Sequence, residues 1–450
     1  MNHKGNGEIT LINDEIYKCS FELYQKEDSR IFLLCKFVDG NYSISDLIIT
    51  RNFNVKKFKG KTTDNFECYT EKMILGDFPN IPNSEDCIMF YLHEIEIITS
   101  NKSDENVFCF KIINFCLNKY DNFELSLPNF FQGKNQKLNF LFKPLDNYEE
   151  INRNLRINRN VEVTSEIIYI NNENLFSIEQ IIEVIDDICH ILSIANGTKI
   201  QWTSYKFNKD SYVHEKYLNK TTSSYTPFFV IAPDTNSIKI FIETVYSTFI
   251  EKKDTYNLKW IINAFLDSKS EGHYTGTRGL RAVVVMEMLR EYFLKTKSIE
   301  GHIFQTNVFK KIKKNIKKEI ERTLENDIKN NVDSSDEKKE MLFSKISDLN
   351  RKTFKEILVS FLKSIDFDVE KENDDIECFI KSRNALVHRG QFFYDIYNES
   401  DCKYKSSFEE FTFIINFIDK VILKLIRYSG FYLNIYRTIQ NNGWREYEKI

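Results

Sequence analysis

Arg383, Asn384 and His388 fall within one short stretch near the C-terminal end, Lys381-Ser382-Arg383-Asn384-Ala385-Leu386-Val387-His388-Arg389-Gly390. A guanidinium is a permanent cation whose planar fork of donors fits carboxylates and phosphates. An imidazole gains and loses a proton near neutrality. A carboxamide aligns such groups by hydrogen bonding. Anion binding coupled to proton transfer is the chemistry these three offer. A fourth candidate lies about a hundred residues upstream: Glu287, an acid inside the apolar run Ala282-Val283-Val284-Val285-Met286-Glu287-Met288-Leu289.

The elements that must position these groups read as helices. Ile376, Phe379, Ile380 and Val387 recur at helical spacing and predict one buried stripe. Arg383 falls on that stripe, where a guanidinium is costly unless a carboxylate or phosphate meets it. Gly390 suits the cap that ends the helix. His388 sits about 140° round the helix from Arg383, so the two cannot share a face. Asn384 and His388 are neighbours one turn apart, which lets the amide orient the imidazole. Glu287 is the natural counterpart of Arg383. It can otherwise form an ion pair that only fixes helix register, or face solvent.

The fold expected is α+β, a β-rich N-terminal domain followed by an all-α helical bundle. Of 450 residues, 42% are hydrophobic and 14% aromatic, a globular composition with material for two or three domains. The boundaries are read as 1–176 (β-rich), 177–270 (mixed, closing that domain or connecting) and 271–450 (helical). Strands are expected at Ile31–Phe37, Cys87–Ile98, Val107–Phe115, Leu138–Phe142, Val161–Ile170, Lys199–Tyr205 and Pro227–Ala232. Turns or loops are placed at Gly40-Asn41, Pro79 to Asn83 and Asn101 to Glu105. Ser177-Ile178-Glu179-Gln180 reads as a capping box, opening a helix that ends at Asn196-Gly197. Further helices are expected at about Ser237–Glu251 and Thr255–Leu266. The C-terminal half then carries Thr277–Thr296, Ile303–Ile328, Asp336–Asp348, Phe354–Ile365, Asp374–His388 and Ser407–Tyr436, the last broken near Gly430, with no strand. A net charge of −4 excludes coating nucleic acid through bulk charge, so an RNA site must be a local basic surface. The first residues lack the apolar core of a signal peptide, and no stretch suits a membrane span. Nine cysteines without regular spacing predict free thiols and a cytoplasmic protein.

Arg383, four residues, then His388, with Asn384 directly after the arginine, resembles the Arg-x4–6-His signature of HEPN ribonucleases. The layout is most similar to the ApeA-like HEPN proteins of bacterial anti-phage defence, over approximately Thr277 to Tyr436. The resemblance implies a metal-independent endoribonuclease without cofactor, in which a ribose 2′-hydroxyl attacks the adjacent phosphate. His388 would transfer a proton, Arg383 would hold the scissile phosphate, and Asn384 would position His388 or a phosphate oxygen. Glu287 agrees with a polar or acidic group that HEPN domains carry near the motif. One histidine cannot readily be base and acid at once, so a homodimer through the helical domain, pairing two motif helices, is implied. Abortive infection further implies a phage-derived trigger at the N-terminal domain. Lys381 and Arg389 flank the motif and are candidate phosphate contacts, as are Lys310 and Lys314 in an amphipathic basic helix; solvated cations are the plainer reading of each.

The loop Gly272-His273-Tyr274-Thr275-Gly276-Thr277-Arg278-Gly279 lacks the Gly-Lys-Ser/Thr ending of a phosphate loop and reads as a linker with a threonine cap. Asp366-Phe367-Asp368-Val369-Glu370 reads as a solvated connector rather than a divalent-ion site. Cys189-His190 reads as packing. The rival functions are a non-catalytic HEPN protein that binds nucleic acid or neutralises a partner, and a metal-dependent nuclease built on the acidic connector.

Overall fold

A computed structural model describes residues 1–26, 30–38, 54–76, 87–100, 106–115, 122–131, 137–159, 161–170, 176–209, 212–219, 225, 227–271, 273–297, 302–327, 336–397, 403–441 and 443–450. The turns expected at Gly40-Asn41, Pro79 to Asn83 and Asn101 to Glu105 lie outside these residues, as do Gly272 and most of the connector expected at Asn330 to Asp336. The chain divides into two compact units. One comprises 1–250, 262–274 and 428–450, and the other 251–261 and 275–427. The last residues, grouped by sequence with the helical half, thus belong to the β-rich unit.

That unit carries a large antiparallel sheet. Its strands are β1 (Asn2–Leu11), β2 (Ile16–Gln25), β3 (Ile31–Phe37), β4 (Val55–Thr62), β5 (Glu67–Thr70), β6 (Met73–Leu75), β7 (Cys87–Leu92), β8 (Glu94–Thr99), β9 (Val107–Ile113), β10 (Phe123–Leu127), β11 (Leu138–Pro144), β12 (Val163–Ile170), β13 (Gln201–Lys209) and β14 (Tyr212–Leu218). Their order is β10-β11-β12-β9-β13-β14-β8-β5-β4-β1-β2-β3-β7-β6. β2, β4, β5, β7 and β8 alternate more and less buried residues along most of their length, as a sheet with one wet face requires. Ile9, Phe21, Leu33, Phe58, Phe90 and Ile97 meet in one core drawn from the strands alone, so this part of the sheet curls over its own apolar face. The single strand expected at Cys87–Ile98 is broken at His93, and its halves pair with different partners, β7 with β3 and β8 with β14.

On the wet face, Glu96 is held down to about 2 by the His214 imidazole at 3.5 Å and the Lys216 ammonium at 2.9 Å. A carboxyl lowered on folding contributes stability above its unfolded value of 4.5, and this is lost as pH falls through the folded value. Acid titration followed by tryptophan fluorescence should therefore show the wild type weakening between pH 4.5 and 2. Glu96→Gln should show less of that dependence.

Helix α1 (Tyr148–Asn158) and helix α2 (Ile178–Asn196) belong to the same unit. α2 opens on the expected capping box: the Ser177 hydroxyl accepts from the Gln180 N–H at 3.3 Å, and the Ser177 N–H donates to Gln180 Oε1 at 3.0 Å. Pro227–Ala232 is not a strand. The N–H groups of Val230 and Ile231 both reach the Ala195 carbonyl, at 2.8 and 3.0 Å, so this apolar run packs on the end of α2 instead of joining a ladder. The next helices are α3 (Thr235–Lys252) and α4 (Leu258–Lys269).

The second unit is helical: α5 (Thr275–Lys297), α6 (Thr306–Asp327), α7 (Asp336–Ile346), α8 (Phe354–Ser364), α9 (Asn373–Arg389), α10 (Phe393–Tyr397) and α11 (Ser407–Leu425). Fifteen of the 19 residues of α11 are buried, which makes it the central helix. α5 and α9 pack on it and on each other, and α8 packs on α5. The helix expected over Ser407–Tyr436, with its break near Gly430, stops earlier, at Leu425. Arg427 turns the chain with φ 57°, after which β15 (Phe431–Leu433), α12 (Ile435–Gln440) and β16 (Tyr447–Lys449) follow. β15 and β16 pair as an antiparallel hairpin, and the Leu433 N–H donates to the Val230 carbonyl at 2.7 Å. Strands therefore do occur in the C-terminal half. Short strands without alternation over several residues leave no periodic signal.

Candidate active site

α9 presents Ile376, Phe379, Ser382, Ala385 and Leu386 to the bundle. Val387, expected on the buried stripe, is 39% exposed, because Leu386 takes the inward position in the last turn. Arg383 lies at the edge of that stripe, its side chain 14% exposed. Its Nε donates to Glu287 Oε1 at 2.7 Å, and Nη2 donates to the same oxygen. The carboxylate sits on α5, with its side chain 20% exposed. A partly buried guanidinium has thus found an acid set in the apolar run of α5.

Two neighbours were not foreseen from the sequence. Arg290, one turn on from Glu287, places Nη1 3.2 Å from the second carboxylate oxygen and donates through Nη2 to Glu291 at 2.6 Å. The spacing of three residues on one helix was the available signal. Phe354, the first residue of α8, offers its ring to both cations, with centroid distances of 4.5 Å to Arg383 and 5.5 Å to Arg290. Nothing in local sequence marks that contact, since it joins three helices. The two guanidiniums are balanced by two carboxylates, so the cluster carries no excess charge.

Asn384 does not bond to His388. Its Oδ1 accepts from Arg383 Nη1 at 2.8 Å, so the amide fixes the guanidinium rather than the imidazole. His388 is exposed and makes no hydrogen bond among the described residues. Lys381, Asn384 and His388 fall at i, i+3 and i+7, and all three are exposed, so they form one stripe along the wet side of α9. Arg383 and His388 therefore keep the separation round the helix that their spacing dictates, and Asn384, bonded to the arginine, shares only the exposed stripe with His388. Lys381 and Arg389 lie over the rings of Phe393 and Tyr397, at 5.9 and 5.6 Å. Lys310 and Lys314 are exposed on α6, a helix without extensive packing on α5, α9 or α11, and the structure does not gather them to the arginine.

The turn beyond the motif is pinned. Gly390 caps α9 with φ 69°, a conformation that favours glycine, and its N–H reaches the Leu386 carbonyl at 3.0 Å. Glu410, fully buried on α11, accepts from the N–H groups of Phe393 at 3.0 Å and Tyr394 at 2.8 Å. Burial pushes its carboxyl up, against the pull of those donors and the Ser382 hydroxyl. Gly279, read as part of a loop, lies inside α5, where an added Cβ would stand 2.8 Å from two ring atoms of buried Phe392. Gly279→Ala is expected to cost about 1 kcal/mol in urea unfolding, since overpacking outweighs the gain in helix propensity. A stabilised variant would mean that the approach is looser than this.

The acidic connector forms part of the turn before α9, and among the described residues no three His, Cys, Asp or Glu side chains converge as a ligand set. Cys189 is buried on α2, and His190 Nδ1 lies 2.7 Å from the Asp186 carbonyl. No described helix is long and apolar enough to cross a membrane. Comparison with family models, curated proteins and solved structures gives no match for this chain.

Proposed function

We propose that the chain is a HEPN-type endoribonuclease that cleaves RNA without a metal ion and serves anti-phage defence. The observation that carries the reading is Arg383, turned to the helix interface, clamped by Glu287 and tied through Asn384 to the stripe that bears His388. Glu287 and Asn384 occupy Nε, Nη2 and Nη1, but a guanidinium has five N–H donors, so two are left for a phosphate. Arg383 would steady the charge developing on phosphorus. His388 would take the proton from the attacking 2′-hydroxyl or return one to the departing 5′-oxygen. A second copy of α9 across a homodimer supplies the other proton-transfer group. The β-rich unit holds the enzyme inactive until a phage-derived trigger arrives in the cytoplasm.

The test is incubation of purified protein with total RNA in excess EDTA. Cutting that persists there and disappears in both Arg383→Ala and His388→Ala fits this reading; cutting that EDTA abolishes points to a metal-dependent nuclease. Mass measurement in solution tests the dimer, and an active monomer would rule out the shared cleft. The engagement of three of the five Arg383 donors by Glu287 and Asn384 favours one rival, a non-catalytic HEPN protein that binds nucleic acid or neutralises a partner. Binding without cutting in triggered cells would select it.

A further inference from the structure

A cavity lies in the β-rich unit, lined by residues separate from the α9 motif. It is a trough of about 970 Å³ across the wet face of β1, β2, β4, β5 and β8. Lys57, Lys59 and Lys61 alternate with the inward residues Phe58, Gly60 and Thr62, so all three point to the same side. Lys18 joins them from β2. None of the four has an ion-pair partner among the described residues. Among the residues lining the trough, Glu8 and Glu67 are the acids that face them, since Glu96 is already engaged by Lys216 and His214; Lys57 also feels the charge of Asp14. In register, Glu8 lies opposite both Lys18 and Lys59, and Glu67 lies opposite Lys61. Tyr69 stands beside Lys59, whose ammonium is 5.8 Å from the ring centroid. Gly7 and Gly60 contribute bare backbone to the floor.

We infer that this trough binds a short run of single-stranded RNA. Alternate residues on a strand stand about 6.6 Å apart, so the three lysines form a ladder about 13 Å long. That pitch is close to the distance between successive phosphates on an extended single strand. The interleaved glutamates choose among polyanions. Nucleotides bring donors, base amino groups and 2′-hydroxyls, that a carboxylate can accept. An acidic peptide brings side chains that Glu8 and Glu67 repel. Tyr69 supplies the π-face on which an unpaired base stacks. The site is independent of the nuclease reading: it makes the β-rich unit an RNA-contacting surface whether or not α9 cuts.

The experiment is fluorescence anisotropy with a short labelled oligouridylate and full-length His388→Ala protein, so that no strand is cleaved during titration. Three phosphate contacts predict a log–log salt slope of about −2. Lys57→Gln/Lys59→Gln/Lys61→Gln should weaken binding at least about tenfold and flatten that slope. Tyr69→Ala should weaken it about tenfold with the slope retained. These side chains are on the wet face, and an unchanged melting temperature confirms folding. If the triple variant does not fold, single Lys59→Gln is read by its slope, which should fall by about 0.7. Binding that survives in the folded variants, or a strand displaced equally well by oligoglutamate or inorganic tripolyphosphate, overturns the assignment. Such a failure leaves the EDTA cleavage test untouched.

Discussion

His388→Ala is expected to lower the proposed RNA cleavage by about 10³-fold while leaving stability within about 0.5 kcal/mol of wild type. The imidazole is exposed and makes no hydrogen bond among the described residues, so removing it deletes no packing and strands no buried group. Whatever the variant loses is then a contribution to the reaction or to holding RNA rather than to folding. The measurement pairs initial cleavage rates in EDTA with a thermal melt of the same preparation. Full cleavage by a folded His388→Ala protein would remove the imidazole from the mechanism. Lost cleavage together with lost folding would show a structural role instead.

Glu287→Ala should behave in the opposite way. It leaves Arg383 without the oxygen that receives Nε and Nη2, and Arg290 without its 3.2 Å partner. A deeply buried pair broken on one side costs about 3–5 kcal/mol, and the remaining solvent contact of both side chains reduces this to about 2–3 kcal/mol. For a unit of this size the melting temperature would fall by about 4–10 °C. Glu287→Gln keeps an acceptor oxygen and should lose less. The Phe354 ring and Asn384 still hold the guanidinium loosely, so cleavage should fall without vanishing. A double-mutant cycle with Arg383→Ala isolates the pair and should give a coupling of about 1–3 kcal/mol. A coupling near zero would make the two side chains bystanders at a helix crossing, and the clamp would not exist.

Local signals sufficed where the physics is local. The capping box at Ser177 and Gln180 and the glycine after Arg389 set helix ends within a residue or two, because each satisfies backbone groups of its own turn. The stripe on α9 was legible as far as Phe379 and turned Arg383 toward the interface. That its partner would be Glu287 rested on chemistry alone: one inward cation and one inward acid, 96 residues apart, needed each other. The role proposed for the pair came from the resemblance to HEPN proteins.

Tertiary structure decided the rest. Asn384 sits within reach of both Arg383 and His388, and spacing alone favoured the imidazole; the inward guanidinium, needing acceptors, took the amide oxygen. Phe354 and Glu410 reach the motif region from α8 and α11, which no window along the chain contains. The sheet order, in which β1 lies between β2 and β4 while β8 joins β14 to β5, depends on pairings across long separations. By itself, then, the order of residues determined where helices start and stop and which side chains were too polar for their neighbours. Which groups satisfied them depended on the packing of distant segments, because a hydrogen bond or ion pair is chosen by proximity in space and proximity along the chain covers only a few turns.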